Sequence, residues 1–297
     1  MKKNKNTEFT VKKGADKVKV IGRPTFKKRR PDAHKGVFGT ALSVCSSYGM
    51  VGASILSSKA ALRCGLGIMK TACVEENYSA LAASLPESVL VPCPSKDGRY
   101  SKEALPILKK QLKTADALLI GCGLSVSAQT AYIVRELATA SSVPVVIDAD
   151  GINCIADSIE FIEQMKAPLI LTPHPAEMAR LCKKTVAEVE ADRKGISRSF
   201  AAENGVYLIL KGHRTLVATP DGSLFVNKTG NPGMATGGSG DMLSGMILSF
   251  LAQGYTPLKS CLLAVRLHGE AGDRAARHKG QTSMLPSDMI EELSFLF

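Results

Sequence analysis

From His34 onward, short apolar runs alternate with longer amphipathic stretches, and this alternation limits the possible architecture more than any other feature of the chain. Residues 41–45, 67–74, 117–120, 143–148, 169–172, 206–211 and 215–218 read as strands, being short, apolar and often β-branched. Between most of them, 52–64, 102–112, 128–140 and 185–204 carry helical spacing. Runs 206–211 and 224–226 flank a hairpin-like segment that turns at Pro220-Asp221-Gly222. Two helical stretches, 242–253 and 258–278, close the pattern. Strands alternating with helices build βαβ units, so the expected fold is α/β, a mainly parallel central sheet with helices on both faces. No linker or repeat interrupts 34–297, so residues 31–297 read as a single domain behind a basic, partly disordered tail at 1–30.

Composition narrows the class. The chain is 45% hydrophobic and 22% charged, which suits a globular protein. No apolar run reaches about 18 residues, so no transmembrane helix is expected. The basic N-terminus lacks the apolar stretch of a secretory signal. The eight cysteines form no Cys-x-x-Cys pair and several fall in apolar segments, as small buried side chains in a reducing cytoplasm would. The net charge of +11 is concentrated: residues 1–30 hold twelve Lys or Arg against Glu8 and Asp16. A solvated tail explains this better than a nucleic-acid arm, since Phe9 and Phe26 are its only aromatics. Neither nucleic acid nor membrane is therefore an expected partner.

The chemistry concentrates where strands end. In open parallel sheets, ligands bind beyond the carboxyl ends of the strands. Gly121-Cys-Gly123, Asp148-Ala-Asp150-Gly151, Thr172-Pro-His174-Pro-Ala-Glu177 and Lys211-Gly-His-Arg-Thr215 each follow a strand run. The fifth element is Asn231-Pro-Gly-Met-Ala-Thr-Gly-Gly-Ser-Gly-Asp241, directly before a helical stretch. Glycines let the backbone approach a ligand closely. The unpaired amides of a helix start, with the helix dipole, attract a phosphate. Asp241 stands where it can take a proton from a group attacking that phosphate, and the helix start should keep it ionised. There is no Gly-x4-Gly-Lys-Ser/Thr motif and no third glycine to complete a dinucleotide fingerprint. What remains is phosphoryl transfer without a P-loop.

The 231–241 element, Leu171-Thr-Pro-His-Pro-Ala-Glu177 and Asp32-Ala-His-Lys-Gly36-Val-Phe-Gly39 resemble the signatures of the ADP/ATP-dependent NAD(P)H-hydrate dehydratase family. Gly49-Met-Val-Gly-Ala53, Lys59-Ala-Ala-Leu-Arg63-Cys-Gly65, Asp148-Ala-Asp-Gly151 and Lys211-Gly-His-Arg-Thr215 match in the same order. The resemblance implies a ribokinase-like fold and a metabolite-repair reaction that restores NADH or NADPH from its 6-hydroxylated, hydrated form. By resemblance, Ala53, Gly123, His174 and Asp241 contact the hydrated nicotinamide nucleotide. Lys211, Gly212, His213, Arg214 and Thr215, with Gly237, Gly238, Ser239 and Gly240, hold ADP or ATP. It further implies Mg²⁺ on the nucleotide phosphates, with Glu177 orienting it through water, and Asp241 as the catalytic base. A homo-oligomer, a tetramer in relatives, and a separate epimerase acting on the same substrate complete the implied setting. A stand-alone domain of this kind leans toward ADP.

Two features depart from the pattern. Cys45-Ser46-Ser47 stands where the family has Gly-Gly-Ser, and no epimerase segment is present in the sequence. The alternative enzyme is a vitamin or sugar kinase of the ribokinase-like superfamily, which would share Asp241 but release a stable phosphorylated product.

Overall fold

The expected strands form, and each divides its side chains between two cores. The computed structural model describes residues 18–297. Its strands are β1 (Lys19–Val20), β2 (Thr40–Val44), β3 (Ile68–Val74), β4 (Ser88–Cys93), β5 (Ser95–Lys96), β6 (Arg99–Tyr100), β7 (Ala117–Ile120), β8 (Val145–Ile147), β9 (Leu169–Leu171), β10 (Tyr207–Leu210), β11 (Leu216–Ala218) and β12 (Leu224–Val226). Ten of them make one sheet in the order β1-β12-β11-β10-β9-β8-β7-β2-β3-β4, while β5 and β6 pair separately. From β10 to β4 every neighbouring pair is parallel. The β10–β11 and β11–β12 pairs are antiparallel.

The helices are α1 (Val51–Arg63), α2 (Tyr78–Ser84), α3 (Ala104–Leu112), α4 (Ala128–Ala140), α5 (Asp150–Ile155), α6 (Pro175–Cys182), α7 (Val186–Ala191), α8 (Arg193–Asn204), α9 (Ser239–Ala252), α10 (Pro257–Lys279) and α11 (Pro286–Glu292). Strand side chains alternate between faces with period two. Val145, Ile147, Leu169 and Leu171 therefore pack with Leu108 of α3 and Ile133 of α4. Val146 and Ile170, one residue out of phase, pack with Ala60 of α1, Met246 of α9 and Ala264 of α10. Helices cover both faces, as the alternation required. On the second face, α1 and α9 lie unusually close, because a Cβ on Gly245 would stand 2.0 Å from the Ser57 carbonyl oxygen.

The structure departs from the sequence reading in several places. The stretch 185–204 is two helices, broken at Asp192 (φ −137°), whose carboxylate caps the second by accepting from the Gly195 amide. Thr185 and Glu188 close a reciprocal cap on the first. Strand β4 was not expected; it is an edge strand and tolerates Pro92, which costs a central strand a ladder hydrogen bond. Residues 18–30, grouped with the tail above, are mostly exposed but touch the body of the protein at several points. β1 runs parallel to β12, and Ile21 is buried. The Lys27 ammonium donates to the Gln253 and Gly254 carbonyls at the end of α9. Arg29 donates to the Gly65 carbonyl just past α1 and stacks on Phe38. Residues 1–17 of the expected tail lie outside the described residues. All eight cysteines are free, seven of them buried. Among the described residues no helix is long and apolar enough to cross a membrane.

Candidate active site

Because the β10–β4 strands run in one direction, their carboxyl ends share one edge of the sheet. Each end delivers a polar residue there at once: Cys122 two residues after β7, Asp148 directly after β8, Thr172 and His174 after β9, Lys211 directly after β10. The start of α9 faces the same edge. Its N-cap, Gly238, has φ 93°, a region L side chains avoid, and an added Cβ would stand 2.4 Å from Leu56 Cδ1. Gly240, by contrast, is helical and unstrained, and a Cβ there would meet Lys211 Nζ at 3.3 Å. Of these two glycines, only Gly238 sits where a side chain would strain the backbone.

A charge network underlies this edge. Lys211 Nζ donates to Asp148 Oδ1 at 2.7 Å and lies 3.8 Å from Glu177 Oε2. The Ser244 hydroxyl, one turn into α9, donates to Asp148 Oδ2 at 2.7 Å. Burial alone would raise the Asp148 carboxyl, yet the Lys211 ammonium and the Ser244 and Thr172 hydroxyls outweigh it and hold it below its usual range. The same pairing keeps Lys211 charged: desolvation pulls it down, but the Asp148 and Glu177 carboxylates push it up further. His174 caps α6, its Nδ1 accepting from the Ala176 and Glu177 amides at 3.1 and 3.2 Å. Glu177 completes that cap by accepting from the His174 amide at 2.7 Å. Burial lowers the His174 imidazole's affinity for protons, so the neutral ring with hydrogen on Nε2 fits both contacts.

Asp241 behaves differently from the sequence expectation. Burial, reinforced by the charge of Asp148, pushes its carboxyl up to about 6. Desolvation outweighs the helix dipole that was expected to keep it firmly ionised. The result suits a proton acceptor, since a base works best when its pKa lies near the working pH.

A cavity of about 1060 Å³ opens over this edge, large enough for a nucleotide. His174, Glu177, Lys211, Gly212, His213, Arg214, Thr215, Gly237, Gly238, Ser239, Gly240 and Asp241 all line it. Ala53 and Gly123 do not. They sit together at the start of α1 and the loop after β7, where a Cβ on Gly123 would approach Ala53 Cβ to 3.0 Å. Cys122, next to Gly123, connects the two places, because its sulfur and the carboxylates of Asp148 and Asp241 offer atoms within 4.8 Å of one another.

Several lining residues escaped the sequence reading. Asn227 and Thr229 follow β12, and Asn227 is locked by donating to the Thr229 and Val265 carbonyls. His268 of α10 reaches the start of α9, with Nε2 3.0 Å from the Ser239 carbonyl and 3.2 Å from its hydroxyl. Desolvation pushes this imidazole down to about 4, so it is neutral. A strand run followed by Asn-Lys-Thr-Gly-Asn was a signal of the kind already used; His268, inside a long helix, offered none.

The metal question turns on donor chemistry. The Cys122, Asp148 and Asp241 group does not suit Mg²⁺, a hard cation that takes oxygen ligands, because it contains a thiol and a carboxylate already paired with Lys211. Glu177 fits as a partner for a metal-bound water, since its carboxylate lines the cavity and keeps lone pairs beyond the His174 cap.

A family model described as NAD(P)H-hydrate dehydratase matches residues 41–294. The bifunctional NAD(P)H-hydrate repair enzyme of Moorella thermoacetica is 40% identical over 92% of this chain and 52% of its own length. The chain thus spans about half the length of the bifunctional curated relatives it matches. The ADP-dependent (S)-NAD(P)H-hydrate dehydratase of Neisseria meningitidis is 40% identical over 84% of this chain and 81% of its own. The crystal structure of the Bacillus subtilis ADP/ATP-dependent NAD(P)H-hydrate dehydratase, co-crystallised with ATP and Mg²⁺, superposes with a TM-score of 0.83 at 30% identity, covering 95% of this chain and 98% of that one. A ribokinase from Thermotoga maritima superposes at 0.52 with 16% identity, covering 86% of this chain and 98% of its own, which shows the fold alone to be ribokinase-like.

Proposed function

Since the chain belongs to the NAD(P)H-hydrate dehydratase family, we propose that it uses an adenine nucleotide to dehydrate hydrated NADH or NADPH, as a repair lyase. The observation that carries the reading is Asp241: a carboxyl drawn up to about 6, in the first turn of α9, behind a glycine-rich loop and facing a nucleotide-sized cavity.

Hydroxide is a poor leaving group, so dehydration needs activation. Asp241 takes the proton of the C6 hydroxyl as its oxygen attacks the terminal phosphorus of the nucleotide. The bond from that phosphorus to its bridging oxygen breaks, and the shortened nucleotide leaves. The C6–O bond of the new ester then breaks, assisted by the ring nitrogen's lone pair, and inorganic phosphate departs. Transfer of a C5 proton to the departing phosphate restores the dihydropyridine. The amides of residues 237–240 stabilise charge on the transferring phosphoryl group, each well-placed donor contributing about 10²–10³ in rate. Lys211–Thr215 hold the nucleotide beside them. Ala53, Gly123 and His174 position the hydrated nicotinamide. Mg²⁺, carried on the nucleotide phosphates and oriented through water by Glu177, would neutralise phosphate charge.

ADP is the preferred phosphoryl donor in this reading, with ATP as the substitute. Assembly into a homo-oligomer, a separate epimerase and a reducing cytoplasm, which the free cysteines suit, belong to the same proposal. The test is purified protein with hydrated NADPH and Mg²⁺, ADP and ATP in parallel, followed by NADPH absorbance. Nucleotide-dependent recovery of NADPH is expected. A stable phosphorylated product with no NADPH would instead identify a kinase.

A further inference from the structure

Asp148 is almost wholly buried, although it forms part of the cavity wall. It stands at the crossing point of the site. One oxygen holds Lys211 at 2.7 Å and the other accepts from Ser244 of α9 at 2.7 Å. Its second oxygen also faces the Cys122 thiol at 3.8 Å. The end of β8 is thereby tied to the ends of β7 and β10 and to the helix that carries Asp241. A carboxylate that only neutralised Lys211 would not need to lie beside another carboxylate, but Asp148 and Asp241 offer oxygens within 4.8 Å of each other.

Resting on the phosphoryl-transfer reading above, we propose that Asp148 is a positioning residue that makes Asp241 a proton acceptor, its pinned negative charge acting on Asp241 while its Oδ1 fixes Lys211 against the cavity wall. The asymmetry between the carboxylates assigns the roles. Asp148 has an ammonium and hydroxyls that stabilise its anion, and its proton affinity falls below the ordinary range. Asp241 is desolvated without such an ammonium bond, and burial and the Asp148 charge raise it. When two carboxyls share a site, the one better supplied with donors ionises first and the other holds its proton longer. The charged and titratable groups that act on Asp241 are Asp148, Cys122, Lys211 and Asp150. Of these, Cys122 stays a neutral thiol, raised mainly by its hydrogen bond with Cys45 and by burial.

The test reads Asp241 directly, by carboxyl-carbon NMR titration of the full chain, with its resonance assigned from an Asp241→Asn variant. In the native protein Asp241 should titrate near 6 and Asp148 well below it. In Asp148→Asn the Asp241 midpoint should fall by about one pH unit or more, since a like charge is lost and Lys211 is left to act alone. The acid limb of the kcat profile should move down with it, whereas purely structural damage would lower kcat without moving the limb. Asp148→Glu, which keeps the charge, should hold the midpoint near the native value. An unchanged or higher midpoint in Asp148→Asn overturns the proposal. If that variant does not fold, the native titration decides, and Asp241 titrating at or below Asp148 overturns it. NMR midpoints need no turnover, so failure of the repair reaction would show separately, as absence of nucleotide-driven NADPH recovery by the native protein.

Discussion

Helices α1 and α9 are near twins in position and opposites in equipment. Both start at the carboxyl edge of the sheet, pack against each other, and begin without a side-chain cap, whereas α4, α6 and α10 are capped by Ser127, His174 and Thr256. Uncapped first-turn amides at two adjacent helix starts give this edge two places that attract anions. Only α9 carries an acid in its first turn, and only its start opens on the large cavity. The difference teaches a division of labour. Attraction for phosphate comes from the backbone and is available at both of these helix starts, while proton transfer needs a tuned side chain, which of the two only α9 supplies.

The hardest test of that division is Asp241→Asn. It should lower nucleotide-driven NADPH recovery by roughly 10²–10⁴ while ADP binding, measured by calorimetry, stays near native. It should also make the unliganded protein more stable at neutral pH. The folded carboxyl keeps its proton up to about 6 against 3.8 ordinarily, so it favours the fold below about pH 4 and becomes a cost as pH rises through 6. Thermal melts should therefore separate the two proteins at pH 7.5, by roughly 1–3 kcal/mol, and converge at pH 4. Near-native turnover in the variant would remove Asp241 from the base role. In the native enzyme, kcat should fall as pH drops through about 6.

Gly238→Val attacks the backbone half of α9. Positive φ and the Leu56 contact predict a loss of about 1–3 kcal/mol in stability together with most of the ADP affinity. Gly240→Val should lose ADP affinity with a smaller stability cost, because its backbone is unstrained and the nearest atom to an added Cβ is Lys211 Nζ at 3.3 Å, the end of a flexible side chain. Equal stability losses for the two would contradict the assignment of strain to Gly238.

A milder change at the start of α1 sharpens the contrast. Ala53→Val should raise KM for the hydrated nucleotide roughly tenfold and leave ADP affinity unchanged, since Ala53 does not line the cavity. A matched loss of ADP affinity would merge the two helix starts into one site.

The smallest effect is expected at the far ends of the same helices. The paired change Lys27→Met and Arg29→Met removes cations from the carboxyl ends of α9 and α1 and should cost about 1 kcal/mol in chemical denaturation, with kcat unaltered. No loss of stability would make residues 18–30 a solvated tail.

Much of this was legible in the residues, and the reasons for the exceptions are physical. Strand positions and the two-faced sheet followed from periodicity, because burial on both faces leaves a plain apolar run. The single helix expected over 185–204 was wrong because Asp192 can serve as a cap as easily as an interior residue, and local spacing does not separate the two. The ionisation of Asp241 was misjudged because the helix dipole is a local property, while its desolvation and the neighbouring Asp148 charge arise from strands ninety residues away in sequence. The same holds for Ser244 and His268: each touches the site through a helix face whose partner is known only after packing. The contacts of the basic segment were hidden for a similar reason, since nothing in a run of Lys and Arg announces that two of them end on helix carbonyls.

The β10–β11–β12 hairpin has a consequence of parity. β11 reverses the chain direction and β12 reverses it again, so β12 ends at the same edge as the parallel strands and delivers residues 227–241 to the cavity. An odd number of reversals would launch that loop from the wrong side of the sheet, one strand length away, about 10 Å for three residues. The hairpin therefore cannot lose a strand without losing the site. Its tip, at Pro220-Asp221-Gly222, lies at the opposite edge, with Asp221 exposed. Length added at that turn does not alter the parity, so a flexible insertion, tag or surface tether placed there should leave nucleotide binding intact.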